Sequence, residues 1–293
     1  MQFEVDIIRA LQMLSSPFMD LLNKGLSFFG TEMFFLIVAV VLYWCIDKKF
    51  AYRLFNVYIL GVAVTNFMKQ GFKRVRPFNA YQDWVRSIGE REVTYSFPSG
   101  HTESISSLAT VCSIKYGKRY KVIPVIGIVL TLLVMLSRMY LGQHYLSDVF
   151  CGLTVGVFCA IAFNALLSLF GDREQFFVIP AVIIAAVTIG VLAGLHQLND
   201  SADILKGLGA FVAFDIGYFV EKRFVRYDVS AHREWWTYIL RVVIGGGVTL
   251  AIQNGFKLFL PESIPMLYCF LRYFVMAAFA SLLAPMIFKL ARI

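Results

Sequence analysis

The sequence predicts an all-α protein, a polytopic membrane helical bundle. Apolar runs of bilayer-crossing length recur from end to end. Hydrophobic residues make up 59% of the chain and charged residues only 16%, where a soluble domain carries about 25% charged residues. The mean hydropathy of +0.70 agrees. The formal charge of +8 is gathered in short clusters between apolar runs. That distribution suits membrane orientation and phosphate chemistry, and it argues against nucleic acid as a partner.

Residues 1–27 read as an interfacial amphipathic helix. Phe3, Ile7, Leu11, Leu14 and Phe18 fall on one face, with Glu4, Asp6, Arg9 and Gln12 elsewhere. The early charges also argue against a cleavable leader. Nine apolar segments follow, at about 28–46, 51–68, 101–116, 122–141, 145–170, 176–196, 204–220, 236–256 and 264–290. The third is short and enters through Thr102, Glu103 and Ser104, so its outer end requires a polar cleft. Residues 28–196 read as the core that carries the chemistry, and 197–293 as an appended transmembrane bundle whose glycines let helices approach closely. Within that bundle Asp215 and Arg241 are expected to form an ion pair, and His196 reads as a polar helix cap.

Basic clusters at 48–53, 115–121, 222–233 and 289–292 fall on one side if every segment crosses. Taking that side as cytoplasmic puts the N terminus outside and the C terminus inside. The connectors 69–100 and 141–145 then share the extracytoplasmic face. The five cysteines lie in apolar stretches without metal-ligand spacing. No metal and no cofactor is expected.

Those two connectors hold the chemistry. One carries Lys69, Arg76-Pro77 and then Pro98-Ser99-Gly100-His101. The other follows Ser137-Arg138 and carries His144, with Asp148 four residues on. A transferring phosphoryl group spreads charge over its oxygens, so catalysis is mainly positioning and electrostatic stabilisation. Arg76 and Arg138 each present a planar fork to two oxygens, and Lys69 adds a compact charge. Ser99 offers a hydroxyl, Gly100 a close backbone approach, and the helix they open directs free N–H groups at an anion. His144 and Asp148 share a helical face, which makes His144 a nucleophile oriented by a carboxylate. His101, from another helix, is then the general acid. The expected intermediate is a phosphohistidine at His144, formed without a metal.

Lys69-x6-Arg76-Pro77, Pro98-Ser99-Gly100-His101 and Ser137-Arg138-x5-His144-x3-Asp148 resemble the three-part signature of the type 2 phosphatidic acid phosphatase superfamily. The resemblance covers about residues 51–170. It implies a six-helix catalytic core, to which about three C-terminal transmembrane helices are appended here. It also implies a metal-independent lipid phosphate phosphatase in which Lys69, Arg76, Ser99, Gly100 and Arg138 bind phosphate, His101 is the acid, His144 the nucleophile and Asp148 its partner. The nine-span layout is similar to the sphingosine-1-phosphate and glucose-6-phosphatase branch. The expected substrate is a lipid phosphate in the bilayer of a bacterial plasma membrane: undecaprenyl phosphate or diphosphate, phosphatidylglycerophosphate, phosphatidic acid or a sphingoid phosphate. Rival readings are a lipid phosphotransferase using the same phosphohistidine, a phosphate-binding transporter or scaffold, and a haloperoxidase, which the membrane-spanning composition disfavours.

Overall fold

A computed structural model of the protein describes residues 2–194, 202–231, 234–259 and 265–293. The helices among them are α1 (Gln2–Gln12), α2 (Pro17–Phe28), α3 (Glu32–Val41), α4 (Lys48–Phe72), α5 (Pro77–Ala80), α6 (Gly100–Tyr116), α7 (Val122–Tyr140), α8 (Leu146–Ser168), α9 (Val178–Gly194), α10 (Ala202–Val220), α11 (Trp235–Phe259), α12 (Pro265–Ala278) and α13 (Ala284–Ala291). Each of the nine apolar segments coincides with a helix over its described residues; His196 and Arg233 lie outside them. Among the described residues five helical stretches, fewer than the nine segments expected to cross, are long and apolar enough to span a membrane: Val122–Tyr140, Leu146–Ser168, Gly171–Gly194, Trp235–Phe256 and Tyr268–Ala291. The pair Pro17–Phe28 and Glu32–Ile46, bent by 50°, makes a sixth if counted as one span. The chain is thus an integral, multi-pass, all-α membrane protein.

The chain divides into two compact units, one of Met1–Val38 with Val57–Ala165, the other of Ala39–Asn56 with Leu166–Ile293. In the first unit α6 lies along α7, and α1 and α2 also pack on α7. At 17 residues α6 is shorter than a full crossing, and it buries Thr102, Glu103, Ser104, Ser106 and Ser107. The polar surroundings expected for its entry are there. Its first turn is tied to α8 by the Ser99 N–H, which donates to the Asp148 carbonyl at 3.0 Å.

The N-terminal region differs from the single helix expected. Ser16 caps a second helix by accepting from the Met19 N–H at 3.2 Å, and Pro17 sits at its first position, where a missing N–H costs nothing. Of the expected apolar face, Phe3, Leu14 and Phe18 are exposed, whereas Ile7 and Leu11 pack against a buried core. The other face of α1 is buried: Val5 and Ile8 join a core with Phe78, Val85, Met135, Met139, Tyr145 and Val149. Its polar residues also hold structure. Gln12 Nε2 donates to the carbonyls of Arg86 (2.8 Å) and Tyr140 (3.0 Å), and its Oε1 accepts from the Arg86 N–H at 3.0 Å.

In the second unit α10 packs along α12, and the Tyr52 and Tyr218 rings stack at 3.8 Å. The Asp215–Arg241 ion pair is replaced by separate partners. Asp215 accepts a hydrogen bond from the Tyr52 hydroxyl. Arg241 donates to the carbonyls of Trp44 at 3.2 Å and Val229 at 3.1 Å. Similar depth along two helices did not set their facing, which each side chain's nearer neighbours, a phenol for Asp215 and backbone carbonyls for Arg241, decide instead.

Gly142 makes the turn between α7 and α8 with φ +73°, and a Cβ there would lie 2.3 Å from the Arg86 carbonyl oxygen. Gly142→Ala is expected to lower stability by at least about 1–2 kcal/mol, the left-handed penalty alone. Gly25→Ala, in open space on α2, is expected to leave stability equal or slightly raised. Thermal midpoints of the two variants in one detergent make the comparison.

Candidate active site

Four helix ends converge in the first unit: the last turn of α4 with Lys69, the first turn of α6 with Ser99, Gly100 and His101, the last turn of α7 with Arg138, and the first turn of α8 with Asp148. Arg76 caps the short α5, and His144 sits in the turn between α7 and α8. All the motif residues foreseen from sequence therefore meet at one end of one unit. Pro98 enters this corner through a cis peptide bond.

Arg76 is 1% exposed. Its Nε donates to the Thr94 carbonyl at 2.7 Å, and Nη1 to the Gln143 carbonyl at 3.1 Å. Nη1 also lies 3.2 Å from His144 Nε2. A guanidinium can only donate, so Nε2 must carry the lone pair and Nδ1 the proton. Nδ1 faces Asp148 Oδ2 at 3.5 Å and Ser96 Oγ at 3.5 Å. This is the tautomer a nucleophilic Nε2 requires, with a carboxylate behind it.

Asp148 is itself held firmly. Ser96 donates to Oδ2, the Tyr145 N–H donates to Oδ2 at 2.9 Å, and Arg74 Nη1 donates to Oδ1 at 2.7 Å. Arg74 stacks on the Tyr145 ring at 4.0 Å and also binds Glu4 at 2.9 Å. Glu4 in turn accepts from the Ser147 N–H at 2.8 Å, at the start of α8. Burial acts to raise the Glu4 carboxyl, but Ser147 and Arg74 outweigh it and hold it below the ordinary range.

On the opposite side Ser99 caps α6 through Oγ, which accepts from the Thr102 N–H at 3.5 Å. A Cβ on Gly100 would find Lys69 Nζ at 3.9 Å as its nearest neighbour, so the glycine keeps the floor open toward that ammonium. Arg138 donates through Nη1 to Ser27 Oγ at 2.9 Å. Its buried Nε has no hydrogen-bond partner among the described residues.

Glu92 lies at the centre of these cations. Its carboxylate pairs with Arg76 Nη2 at 2.5 Å and with Arg138 Nη2, and lies 3.6 Å from His101 Nδ1. Burial acts to raise this carboxyl; Arg138, His101 and Arg76 overcome it and hold the group well below the usual carboxylate range. Among the described residues no group of three or more His, Cys, Asp or Glu is arranged to hold a metal ion.

A model of the PAP2 superfamily matches residues 50–172, the stretch holding every motif residue. A second, described as a PAP2 superfamily phosphatase transmembrane extension, matches 205–293. The chain belongs to the PAP2 superfamily. Similar PAP2 proteins include a "Probable sphingosine-1-phosphate phosphatase" of Dictyostelium discoideum, 30% identical over 173 residues (54% of this chain, 41% of that one). A lipid A 4'-phosphatase of Porphyromonas gingivalis is 33% identical over 107 residues (36% and 44%). Phosphatidylglycerophosphatase B of Bacillus subtilis is 27% identical over 165 residues (52% and 76%). The chain thus spans less than half the length of the first two.

The PAP2 motifs alone leave out Ser96, Arg74, Glu4 and Glu92. Ser96 and Glu92 belong to the loop before Pro98, where no periodicity assigns a facing. Arg74 is one of six cations in the connector 69–100, with Lys69, Lys73, Arg76, Arg86 and Arg91, and spacing alone does not single it out. Glu4 looked like the polar side of a surface helix.

The His144 imidazole is buried, and burial lowers its proton affinity first; Arg76 and Arg138 add to this, holding it well below the ordinary histidine range. The folded protein thus keeps it neutral while the unfolded chain protonates it near pH 6.5. Its stability contribution is full above about pH 6.5 and is lost as the pH falls below that value. His144→Asn is expected to make the fall in thermal midpoint between about pH 6.5 and 5 shallower. An unchanged slope in the variant contradicts the assignment.

Proposed function

We propose that this PAP2 protein is a metal-independent lipid phosphate phosphatase, hydrolysing a terminal phosphate of an amphiphile through a phosphohistidine. The observation that carries the reading is the Arg76–His144–Asp148 alignment: a lone pair on Nε2 facing a cluster of cations, with the protonated Nδ1 toward a fixed carboxylate. Lys69, Arg76, Arg138 and the Ser99-Gly100 helix start hold the phosphoryl oxygens. His144 Nε2 attacks phosphorus and the bond to the lipid oxygen breaks. Burial and the flanking Arg138, Lys69 and Arg76 lower the proton affinity of His101 in the empty site. The charge of a bound phosphate dianion opposes those cations, so that His101 carries the proton it delivers to the leaving alkoxide. Asp148 stabilises the positive charge that forms on the His144 ring. Water then attacks phosphorus while His101 takes back a proton, the P–N bond breaks, and inorganic phosphate leaves. The fixed cations meet the transition-state charge that a metal meets elsewhere.

The names of its relatives specify a sphingosine phosphate, a lipid A phosphate and a phosphatidylglycerophosphate. What these share is a terminal phosphate on a lipid, and that is the substrate class proposed. The site is assigned to the extracytoplasmic face, with the N terminus outside and the C terminus inside, on the strength of the basic clusters. Residues 1–27 are assigned to the interface, where the exposed Phe3, Leu14 and Phe18 meet lipid.

Purified protein, assayed with a chelator on a panel of lipid monophosphates and diphosphates, is expected to release inorganic phosphate without an added acceptor. His101→Asn is expected to lose about 10²–10⁴-fold in rate, and His144→Ala a factor of about 10⁴ or more. Release that depends on an added alcohol would make the protein a phosphotransferase, and phosphate binding with no turnover would make it a carrier or scaffold.

A further inference from the structure

The Glu92 carboxylate stands where the substrate phosphate must go. It accepts from Arg76 and Arg138 together and faces His101, the three groups assigned to the phosphoryl oxygens and the leaving group. It reaches them from the crest of an exposed loop. Val93 beside it is 99% exposed, and Glu90 and Arg91 are exposed as well. Just beyond the crest the chain is pinned: Arg76 holds the carbonyls of Thr94 at 2.7 Å and Tyr95 at 3.3 Å. The Glu92 side chain can therefore leave without dismantling Arg76's seat.

We propose that Glu92 is a built-in occupant of the phosphate cradle, which terminal phosphates displace and phosphodiesters do not, so that Glu92 restricts the site to phosphomonoesters and diphosphates. This rests on the phosphatase reading above. The argument is one of charge and donor counting. A phosphodiester headgroup carries one negative charge and two free oxygens, the same as the carboxylate it would replace. That exchange gains nothing and must still move the loop crest. A terminal phosphate carries about −1.5 to −2 charges near pH 7 and three acceptor oxygens. Against Lys69, Arg76 and Arg138 the extra charge is a net gain, and the extra oxygen can meet a donor the carboxylate leaves unused, such as the Arg138 Nε. Bulk diester lipids surround such a site at far higher concentration than any substrate. An internal anion of matched charge keeps them out while sparing two buried guanidinium groups the cost of facing each other uncompensated.

The test uses the full chain in detergent micelles as wild type, Glu92→Gln and Glu92→Asp. Thermal midpoints are titrated with inorganic phosphate. Phosphate release from a lipid phosphomonoester is measured as phosphatidylglycerol, a diester, is added. Glu92→Gln is expected to saturate with phosphate at a concentration at least about tenfold lower than wild type, and to become competitively inhibited by phosphatidylglycerol, which wild type resists. Glu92→Asp, whose shorter arm cannot span both guanidiniums, is expected to fall between them; it carries the test if Glu92→Gln does not fold. Equal phosphate saturation in wild type and variants, weaker phosphate binding in the variants, or equal resistance to the diester overturns the proposal. If Glu92→Gln binds phosphate more tightly while wild type hydrolyses no lipid phosphate, the occupant role stands and the phosphatase reading falls.

Discussion

The enclosed guanidinium of Arg76 fixes the site's geometry. Its nitrogens reach the Thr94 and Tyr95 carbonyls in one loop, the Gln143 carbonyl and His144 ring in another, and the Glu92 carboxylate between them. A lysine could supply the charge but not five donors in a fixed plane. Through these bonds one residue sets where two connectors meet and which nitrogen of His144 is free. A group so deeply buried tolerates its charge only while its partners remain in place.

A second network fixes the other end of the imidazole. Asp148 is bonded by Ser96, Arg74 and the Tyr145 N–H, and Arg74 is anchored in turn by Glu4 of α1. The Ser99–Asp148 backbone bond ties the helix that carries His101 to the helix that carries Asp148. His144 and His101 are thus tied, through Asp148 and the start of α6, to the same corner of the first unit. The first helix contributes apolar area on one side and a single carboxylate on the other, and both are spent on the site.

The second unit holds its polar groups internally. Glu174 gathers Lys222 at 2.6 Å and Tyr218 at 2.9 Å, and Lys48 reaches Glu221 at 2.7 Å. Such clusters satisfy charges that sit among apolar helices. They share no residue with the motif set, which lies wholly in the first unit.

Membrane class and the motif residues were legible in the sequence because each has a local signature; the number of crossing helices was not, since five or six stretches qualify among the described residues where nine were expected. Apolar length marks a span, and a cation, glycine or histidine at fixed spacing marks a helix end built for an anion. The bend between α2 and α3, the inward face of α1 and the separate partners of Asp215 and Arg241 were not legible, since each depends on which neighbour a side chain meets. The same holds for Ser96, Arg74 and Glu92, which act across 52, 74 and 46 positions of chain to reach Asp148 and Arg138. Local spacing therefore determined which groups could do the chemistry. The tertiary structure alone decided which nitrogen is free, what orients it and what anion occupies the pocket, because burial and charge compensation are properties of the assembled site.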